Sequence, residues 1–232
     1  DASTSAKAAV IYGQQQYQTP KEWARILAEL LPRAYPHNAF DPQCAGGNLF
    51  THISASHYYG FEIDKRFAPE APEGQSWSAG PRMDSINVDC NKGWEMLDTL
   101  FPDVQFECQV ANPPFALPWP GGDSTYVTWL QILKRACPSG YGYFISNRKT
   151  IERFGINRHP WVYLYQIFPP GFFPKTAIEV GVVHWMNQVF TPPVLAQDQG
   201  DAPPTIHYVT DQSAVTPPGV KRHVCFGAQA SV

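Results

Sequence analysis

The feature that most constrains this chain is a rigid turn with two prolines at the end of an apolar run. Residues 110–115 read V-A-N-P-P-F and follow a β-rich run at 104–109. Each proline fixes φ and removes a backbone N–H, so regular strand pairing must stop there. At the carboxyl end of a strand in an open α/β sheet, such a turn faces the crevice where ligands bind. In a sheet of that kind, the pattern therefore predicts a polar turn beside a binding site.

The turn carries groups that suit a planar ring bearing an exocyclic amine. The side-chain oxygen of Asn112 and the carbonyl of Pro113 can accept the two N–H bonds of that amine, while Phe115 stacks on the ring. Pro114 keeps the turn rigid. An isolated N-P-P sequence would equally be an ordinary end to a strand, so the neighbouring strands have to decide between these interpretations.

Three earlier strands are also predicted to end in polar groups. The first, near residues 38–41, leads into D-P-Q-C-A-G-G-N at 41–48, where glycines let a ligand approach the backbone and helix-start amides can receive its polar groups. Glu62 follows Asp41 by 21 residues, about the spacing at which a carboxylate meets the ribose of a nucleoside cofactor. Asp89 ends the third strand and could accept from an adenine amine. Each acid alone could be a solvated carboxylate or a helix cap, but the recurrence favours a site.

Composition excludes several classes of protein. The chain has 232 residues, 44% of them hydrophobic, which allows one sizeable core. No apolar run suggests a membrane span or a secretion signal. The net charge of −3 excludes a wholly basic nucleic-acid coat, so contact with nucleic acid would be local or helped by another subunit. The five cysteines show no zinc-like spacing, and their odd number argues against a disulfide framework, so we predict no metal site and a reduced, cytoplasmic setting.

The pattern predicts one main domain with two appendages. Residues 1–13 are expected to form a flexible N-terminal arm, residues 14–190 the catalytic domain, and residues 191–232 a proline-rich tail or linker, in which 205–210 and 221–226 resemble short strands. The first helix is expected to have Thr19 as its N-cap, to begin at Pro20 and to end at Pro32. Ser124 is expected to cap a later helix that runs through Ala136.

Two β-like runs at 161–168 and 178–186 are joined by a connector too short for a parallel crossover, which predicts an antiparallel hairpin. The connector holds Phe172 and Phe173, which either pack under the hairpin or form a second wall for a flat base. Upstream, Arg148 and Lys149 begin the densest basic patch of the chain. That patch is either a phosphate contact or a solvated helix surface.

Together, N-P-P-F at 112–115, D-P-Q-C-A-G-G-N at 41–48 and Y-Q-T-P at 17–20 resemble the motifs of the S-adenosylmethionine-dependent amino-methyltransferases. The order of these motifs is most similar to the gamma arrangement of the bacterial N6-adenine DNA methyltransferases of restriction-modification systems. The resemblance covers residues 17–186. It implies a class I methyltransferase (Rossmann-like) fold: a mostly parallel seven-stranded sheet with one antiparallel strand and helices on both faces. Ala45 stands where the family usually has glycine, and its methyl group fits if φ is negative there.

The resemblance also implies a role for each site residue. The catalytic residues would be Asn112, Pro113, Pro114 and Phe115, with Phe115 stacked on a flipped target base. The residues near the cofactor S-adenosylmethionine would be Asp41, Cys44 and Gly46 at its methionine part, Glu62 at its ribose, Asp89 at its adenine amine, Tyr17 and Thr19 over its methionyl end, and Asn112 beside it. Phe172, Phe173, Arg148 and Lys149 would complete the substrate site. The reaction would be a direct in-line methyl transfer.

Three functions remain open from the sequence. The first is methylation of the adenine N6 amine in DNA, with the target sequence read by a partner such as a specificity subunit, or by a missing domain, because residues 191–232 are too few for a recognition domain. The second keeps the chemistry but acts on an RNA base or on a protein glutamine. The third is a binding or structural subunit without activity.

Overall fold

The computed structural model describes residues 19–32, 35–62, 82–87, 90–115, 117–173, 176–187 and 219–225. Tyr17 and Asp89, both predicted near the cofactor, lie outside the described residues. The α-helices of the described part are α1 (Lys21–Ala28), α2 (Cys90–Leu100), α3 (Ser124–Arg135) and α4 (Arg148–Arg153). Short 3₁₀ turns occur at Asn48–Phe50 and Ile156–Arg158.

Eight strands form one sheet. They are β1 (Asn38–Asp41), β2 (His57–Glu62), β3 (Arg82–Asn87), β4 (Phe106–Ala111), β7 (Ala136–Asn147), β8 (Val162–Phe168), β9 (Val180–Met186) and β10 (Lys221–Val224). Their spatial order is β10-β8-β9-β7-β4-β1-β2-β3. A separate two-stranded ribbon, β5 (Pro118–Trp119) and β6 (Gly122–Asp123), follows the proline turn.

Strand directions confirm the predicted mostly parallel sheet. The five neighbouring strands β3, β2, β1, β4 and β7 are mutually parallel, whereas β9 runs antiparallel to both β7 and β8. The antiparallel strand therefore comes from the β8–β9 hairpin, as its short connector predicts. β10 is an eighth strand beyond the predicted seven, and it pairs antiparallel with β8 from within the segment interpreted as a tail.

Helices pack on both faces of the sheet. Leu27 of α1 belongs to a buried cluster with Val110 of β4, while Ile132 of α3 packs with Ala111, the next residue of the same strand. Because successive side chains of a strand point to opposite faces, these two helices lie on opposite sides of β4. The end of β4 is thus held between two packed layers.

Several element boundaries differ from the predictions. α1 ends at Ala28, before Pro32, and its N-cap is Pro20 with no side-chain hydrogen bond, so the prediction of Thr19 as the cap is wrong. The cap of α3 is Asp123, whose carboxylate accepts from the Thr125 N–H, and not Ser124. The Thr19 hydroxyl instead accepts from Asn112, and the Ser124 hydroxyl instead donates to the Pro114 carbonyl. Both partners lie outside these helices, so only the tertiary structure reveals these bonds.

Candidate active site

The carboxyl ends of three parallel strands bring polar residues to one edge of the sheet. β1 ends in Asp41, β2 ends in Glu62, and β4 ends at Ala111, immediately before Asn112. Parallel pairing of β1 with both β2 and β4 places these ends side by side. Asp41 and Glu62 are buried, with exposed fractions of 1% and 6%. The edge is the position at which open α/β sheets bind ligands.

The loop that follows β1 is fastened to both carboxylates. The Gln43 N–H donates to Asp41 Oδ1 at 2.9 Å, and the Ala45 N–H donates to Glu62 Oε2 at 2.8 Å. Between them, the Cys44 N–H donates to the Phe61 carbonyl at 2.9 Å. These loop amides are therefore bonded within the protein, and the loop is held in shape before any ligand arrives.

Ala45 adopts a left-handed backbone conformation. Its φ is +44°, so the condition of a negative φ, under which the methyl group would fit without strain, is not met. A residue with a Cβ atom is disfavoured in this region by about 1–2 kcal/mol. The bond from its N–H to Glu62 contributes to holding the conformation. The family pattern of glycine at this position therefore has a direct physical reason in this chain.

Gly60 of β2 lets the same loop lie directly on the sheet. A Cβ atom at this position would lie 2.6 Å from Cys44 Sγ and 2.7 Å from Cys44 Cβ, distances that real Cβ atoms essentially never show. The sequence interpretation missed this residue. The signal that could have found it is an isolated glycine within a strand, which often marks a close approach of other atoms.

Asp41 is electrostatically unusual. Its Oδ2 atom is buried and has no hydrogen-bond partner among the described residues. Burial raises the pKa of Asp41 to about 8, the bond from the Gln43 N–H opposes this rise, and the nearby Glu62 carboxylate adds to it. The carboxyl group thus holds a proton at neutral pH, and a cationic ligand group at Oδ2 would favour its ionised form.

The turn asparagine is joined to the start of α1. Asn112 Nδ2 donates to Thr19 Oγ1 at 3.0 Å, and Asn48 Nδ2 donates to the Thr19 carbonyl at 2.9 Å. Thr19 is buried, as is Pro113 in the turn itself. Thr19 therefore contacts both the loop after β1 and the turn after β4.

The second half of the turn is braced by α3. Ser124 Oγ donates to the Pro114 carbonyl at 2.6 Å and accepts from the Leu117 N–H at 2.9 Å. Ser124 is fully buried. The sequence interpretation assigned this residue a capping role, and no local pattern distinguishes the two roles.

The predicted aromatic walls differ in exposure. Phe115 and Phe172 are half-buried and pack against the same core cluster as Trp23. The rings of Trp23 and Phe172 have centroids 3.9 Å apart. Phe173 is buried beside Phe168 and so packs under the hairpin. Of the two hairpin aromatics, only Phe172 has surface left for a ligand.

The basic patch begins at the carboxyl end of β7, on the same edge of the sheet. Arg148 donates to Glu152 and Glu179, each at 2.8 Å, and both contacts raise its pKa. The guanidinium group of Arg148 is thus already engaged by two carboxylates. Lys149, the next residue, is exposed.

Comparisons with known proteins identify the fold. No family model and no curated protein sequence matches the chain. Among solved structures, a modification subunit of a putative type I restriction enzyme from Vibrio vulnificus matches with a TM-score of 0.56 at 12% identity, covering 91% of this chain and 56% of that one. A putative RNA methyltransferase from Pyrococcus horikoshii matches with a TM-score of 0.52 at 18% identity, covering 74% of this chain and 87% of that one. The chain has the class I methyltransferase fold.

A third class I methyltransferase structure, the methyltransferase subunit of a type I restriction-modification system from Streptococcus thermophilus, matches with a TM-score of 0.52 at 13% identity. The match covers 75% of this chain and 45% of that one. The chain thus spans about half the length of the two restriction-modification subunits. Within the part of the fold that the structure describes, no helix is both long and apolar enough to cross a bilayer, and no group of three or more His, Cys, Asp or Glu residues is arranged to hold a metal ion.

Proposed function

We propose that this protein transfers a methyl group from S-adenosylmethionine to the exocyclic N6 amine of adenine in DNA. The observation that carries the proposal is the position of Asn112 and Pro113. They follow the buried strand β4, beside a preformed loop that is held by Asp41 and Glu62. A turn that could accept an amine therefore lies beside two buried acidic residues at the ligand-binding edge of a class I methyltransferase fold.

The chemistry of this edge fits S-adenosylmethionine. The cofactor carries a sulfonium and an ammonium group, and the buried Oδ2 of Asp41 is an acceptor for positive charge. The carboxylate of Glu62 suits the ribose hydroxyls, and Cys44 and Gly46 would adjoin the methionine part. When bound, the cofactor supplies an electrophilic methyl group on sulfur. Tyr17 and Asp89 are proposed contacts from outside the described residues.

The turn residues would prepare the acceptor amine. The lone pair of an adenine amine is delocalised into the ring, which makes the nitrogen a poor nucleophile. Two hydrogen bonds, to the Asn112 oxygen and the Pro113 carbonyl, favour a pyramidal nitrogen whose lone pair is available. No strong general base is needed, because the amine becomes acidic only as the new bond to carbon forms. Phe115 and Phe172 would stack on the base.

DNA is the proposed substrate, with the target base extruded from the duplex. Extrusion costs a few kcal/mol, which stacking on aromatic walls would offset. The exposed Lys149 lies at the same edge of the sheet and suits a phosphate contact. Because the chain spans about half of two restriction-modification subunits, we propose that a specificity subunit or another protein partner reads the sequence. The five cysteines, all within the described residues, form no disulfide bond, which suits a reduced, cytoplasmic location.

Two alternatives have specific support. The similarity to a putative RNA methyltransferase favours an RNA base as a second candidate substrate. The left-handed Ala45 favours a non-catalytic binding or structural subunit, because the loop next to the proposed cofactor site is strained. A protein glutamine remains a third acceptor, because its amide NH₂ group also offers two N–H donors.

The test is transfer of a labelled methyl group to DNA, RNA and protein in parallel. The proposal expects label in the adenine N6 position of DNA and its loss in Asn112→Ala, with folding intact. Asn187→Ala is a matched control, because this asparagine bonds to Ala136 and Cys137 at the opposite edge of the sheet. Label in RNA or protein alone would overturn the DNA assignment. A wild-type chain that binds no S-adenosylmethionine in calorimetry would support the non-catalytic alternative.

A further inference from the structure

We infer that Thr19 is a positioning residue of the acceptor site, whose hydroxyl fixes the position and orientation of the Asn112 side chain at the turn. The observation is the hydrogen bond from Asn112 Nδ2 to Thr19 Oγ1, 3.0 Å long. It joins residues 93 positions apart in the chain. The significance of this orientation for methyl transfer rests on the proposed function.

The orientation matters because the two ends of an amide have nearly the same size but opposite hydrogen-bonding character. The oxygen accepts and the nitrogen donates. An exocyclic amine has two N–H donors, so it requires the oxygen. A half-turn about the Cβ–Cγ bond of Asn112 would present the nitrogen instead and place donor against donor. In the observed orientation the Thr19 hydroxyl accepts from the nitrogen, and after a half-turn it could bond to the oxygen only by donating its own proton.

Thr19 is itself well placed for this task. Its side chain is 4% exposed, and its carbonyl accepts from Asn48 Nδ2 at 2.9 Å, which ties it to the loop after β1. The residue precedes α1, where a threonine would ordinarily cap the helix. Here the helix has no side-chain cap, and the hydroxyl points to Asn112. The hydroxyl of Thr19 therefore serves the turn and not the helix start.

The placement of Thr19 also joins the two halves of the proposed site. Asn48 belongs to the segment that follows the loop held by Asp41 and Glu62, whereas Asn112 belongs to the turn after β4. Thr19 contacts the first through its backbone and the second through its side chain. The amide orientation is therefore set from the cofactor side of the site.

The competing role for Thr19 is direct contact with the cofactor. The two roles predict different measurements. A cofactor contact would weaken the dissociation constant for S-adenosylmethionine, whereas a positioning role would lower kcat for the acceptor and leave that constant unchanged.

The first experiment compares Thr19→Val, which keeps the shape but removes the hydroxyl, with Thr19→Ser, which keeps the hydroxyl. We expect kcat to fall by about tenfold or more in the valine variant, in line with the cost of a misplaced group, and the serine variant to stay within about threefold of wild type. The calorimetric dissociation constant for S-adenosylmethionine should stay within about twofold in both variants. Unchanged kcat in the valine variant, or a matching loss of cofactor affinity, would overturn the inference.

A second experiment needs no activity. The urea midpoints of Thr19→Val, Asn112→Ala and the double variant form a cycle. We expect the shift in the double variant to be smaller than the sum of the single shifts, because the bond is lost only once. Additive shifts in the urea midpoint would contradict an energetic coupling between Thr19 and Asn112. Wild-type inactivity on every substrate would instead reject the proposed function, while the cycle would still decide whether Thr19 holds the amide.

Discussion

The hydroxyl of Ser124 donates a hydrogen bond to the carbonyl oxygen of Pro114, with the two oxygens 2.6 Å apart. The same hydroxyl accepts from the Leu117 N–H at 2.9 Å. Two prolines leave the turn with few backbone donors of its own, so its shape depends on bonds from neighbouring elements. Ser124 is the first residue of α3, and through it the helix fixes the course of the chain after Asn112.

Replacement of Ser124 by alanine is therefore expected to loosen the turn. We expect a loss of about 1–3 kcal/mol in the free energy of unfolding, because the Pro114 carbonyl loses its partner. We also expect kcat for methyl transfer to fall by about ten- to a hundredfold, since a small misplacement of a catalytic group has effects of that size. Urea unfolding and steady-state kinetics measure the two quantities.

The matched control is Thr125→Val. Thr125 is buried in the same first turn of α3, but its hydroxyl bonds to Ser146 Oγ at 2.7 Å. A comparable loss of stability with little change in kcat is expected in this variant. If both variants lost activity equally, the brace on the turn would not be the cause.

Gly60→Ala is expected to displace the loop after β1. The new methyl group would lie 2.6 Å from Cys44 Sγ, and overpacking of this kind costs about 1–3 kcal/mol. Because Asp41 and Glu62 hold that loop, we expect weaker binding of S-adenosylmethionine in calorimetry as well as a lower unfolding midpoint.

The control for this effect is Gly181→Ala on β9. Its methyl group would lie 2.8 Å from Ile151 Cδ1, which is a similar conflict in a different core cluster. It should lower stability while leaving cofactor affinity within about twofold of wild type. Equal losses of affinity in both variants would mean that Gly60 acts only through global stability.

The buried carboxyl of Asp41 predicts an unusual dependence of stability on pH. Its folded-state pKa of about 8 lies above the reference value of 3.8, so the folded protein holds this proton more tightly than the unfolded chain. The stabilisation from Asp41 is thus fully present below pH of about 4 and is lost as pH rises through about 8. We expect Asp41→Asn to remove that decline, a difference of a few kcal/mol at pH 8.

Thermal or urea unfolding of wild type and Asp41→Asn at several pH values between 5 and 9 measures this difference. Asp103→Asn, at an exposed position, controls for the loss of one carboxyl group. If the difference between wild type and Asp41→Asn did not change with pH, the carboxyl of Asp41 would not be protonated in the folded protein.

Lys149 and Arg148 should behave differently in DNA binding. Lys149 is exposed, so Lys149→Ala is expected to reduce affinity at low salt and to lower the slope of log K against log salt by about 0.9. Arg148 is engaged by Glu152 and Glu179, so Arg148→Ala should change stability more than the slope. Salt titrations by fluorescence anisotropy would show this, and an equal change of slope in both variants would contradict it.

Local sequence pattern determined the framework of this protein. The short connector predicts the antiparallel hairpin, because connector length acts over neighbouring residues, whereas the mostly parallel sheet was implied by the resemblance of the motifs. The same logic located Asp41, Glu62 and Asn112 at strand ends, and the structure places all three at one edge.

Tertiary structure alone decided how those strand ends are held. Three contacts join residues from different parts of the chain: the bond from Asn112 to Thr19, the bond from Ser124 to Pro114, and the close approach of Gly60 to Cys44. No periodicity encodes such pairs. Threonine and serine before or at a helix start predict caps, and only packing shows that these hydroxyls serve the proline turn instead. The sequence predicted the turn itself. The orientation of its asparagine side chain depends on contacts with residues up to 93 positions away in the chain.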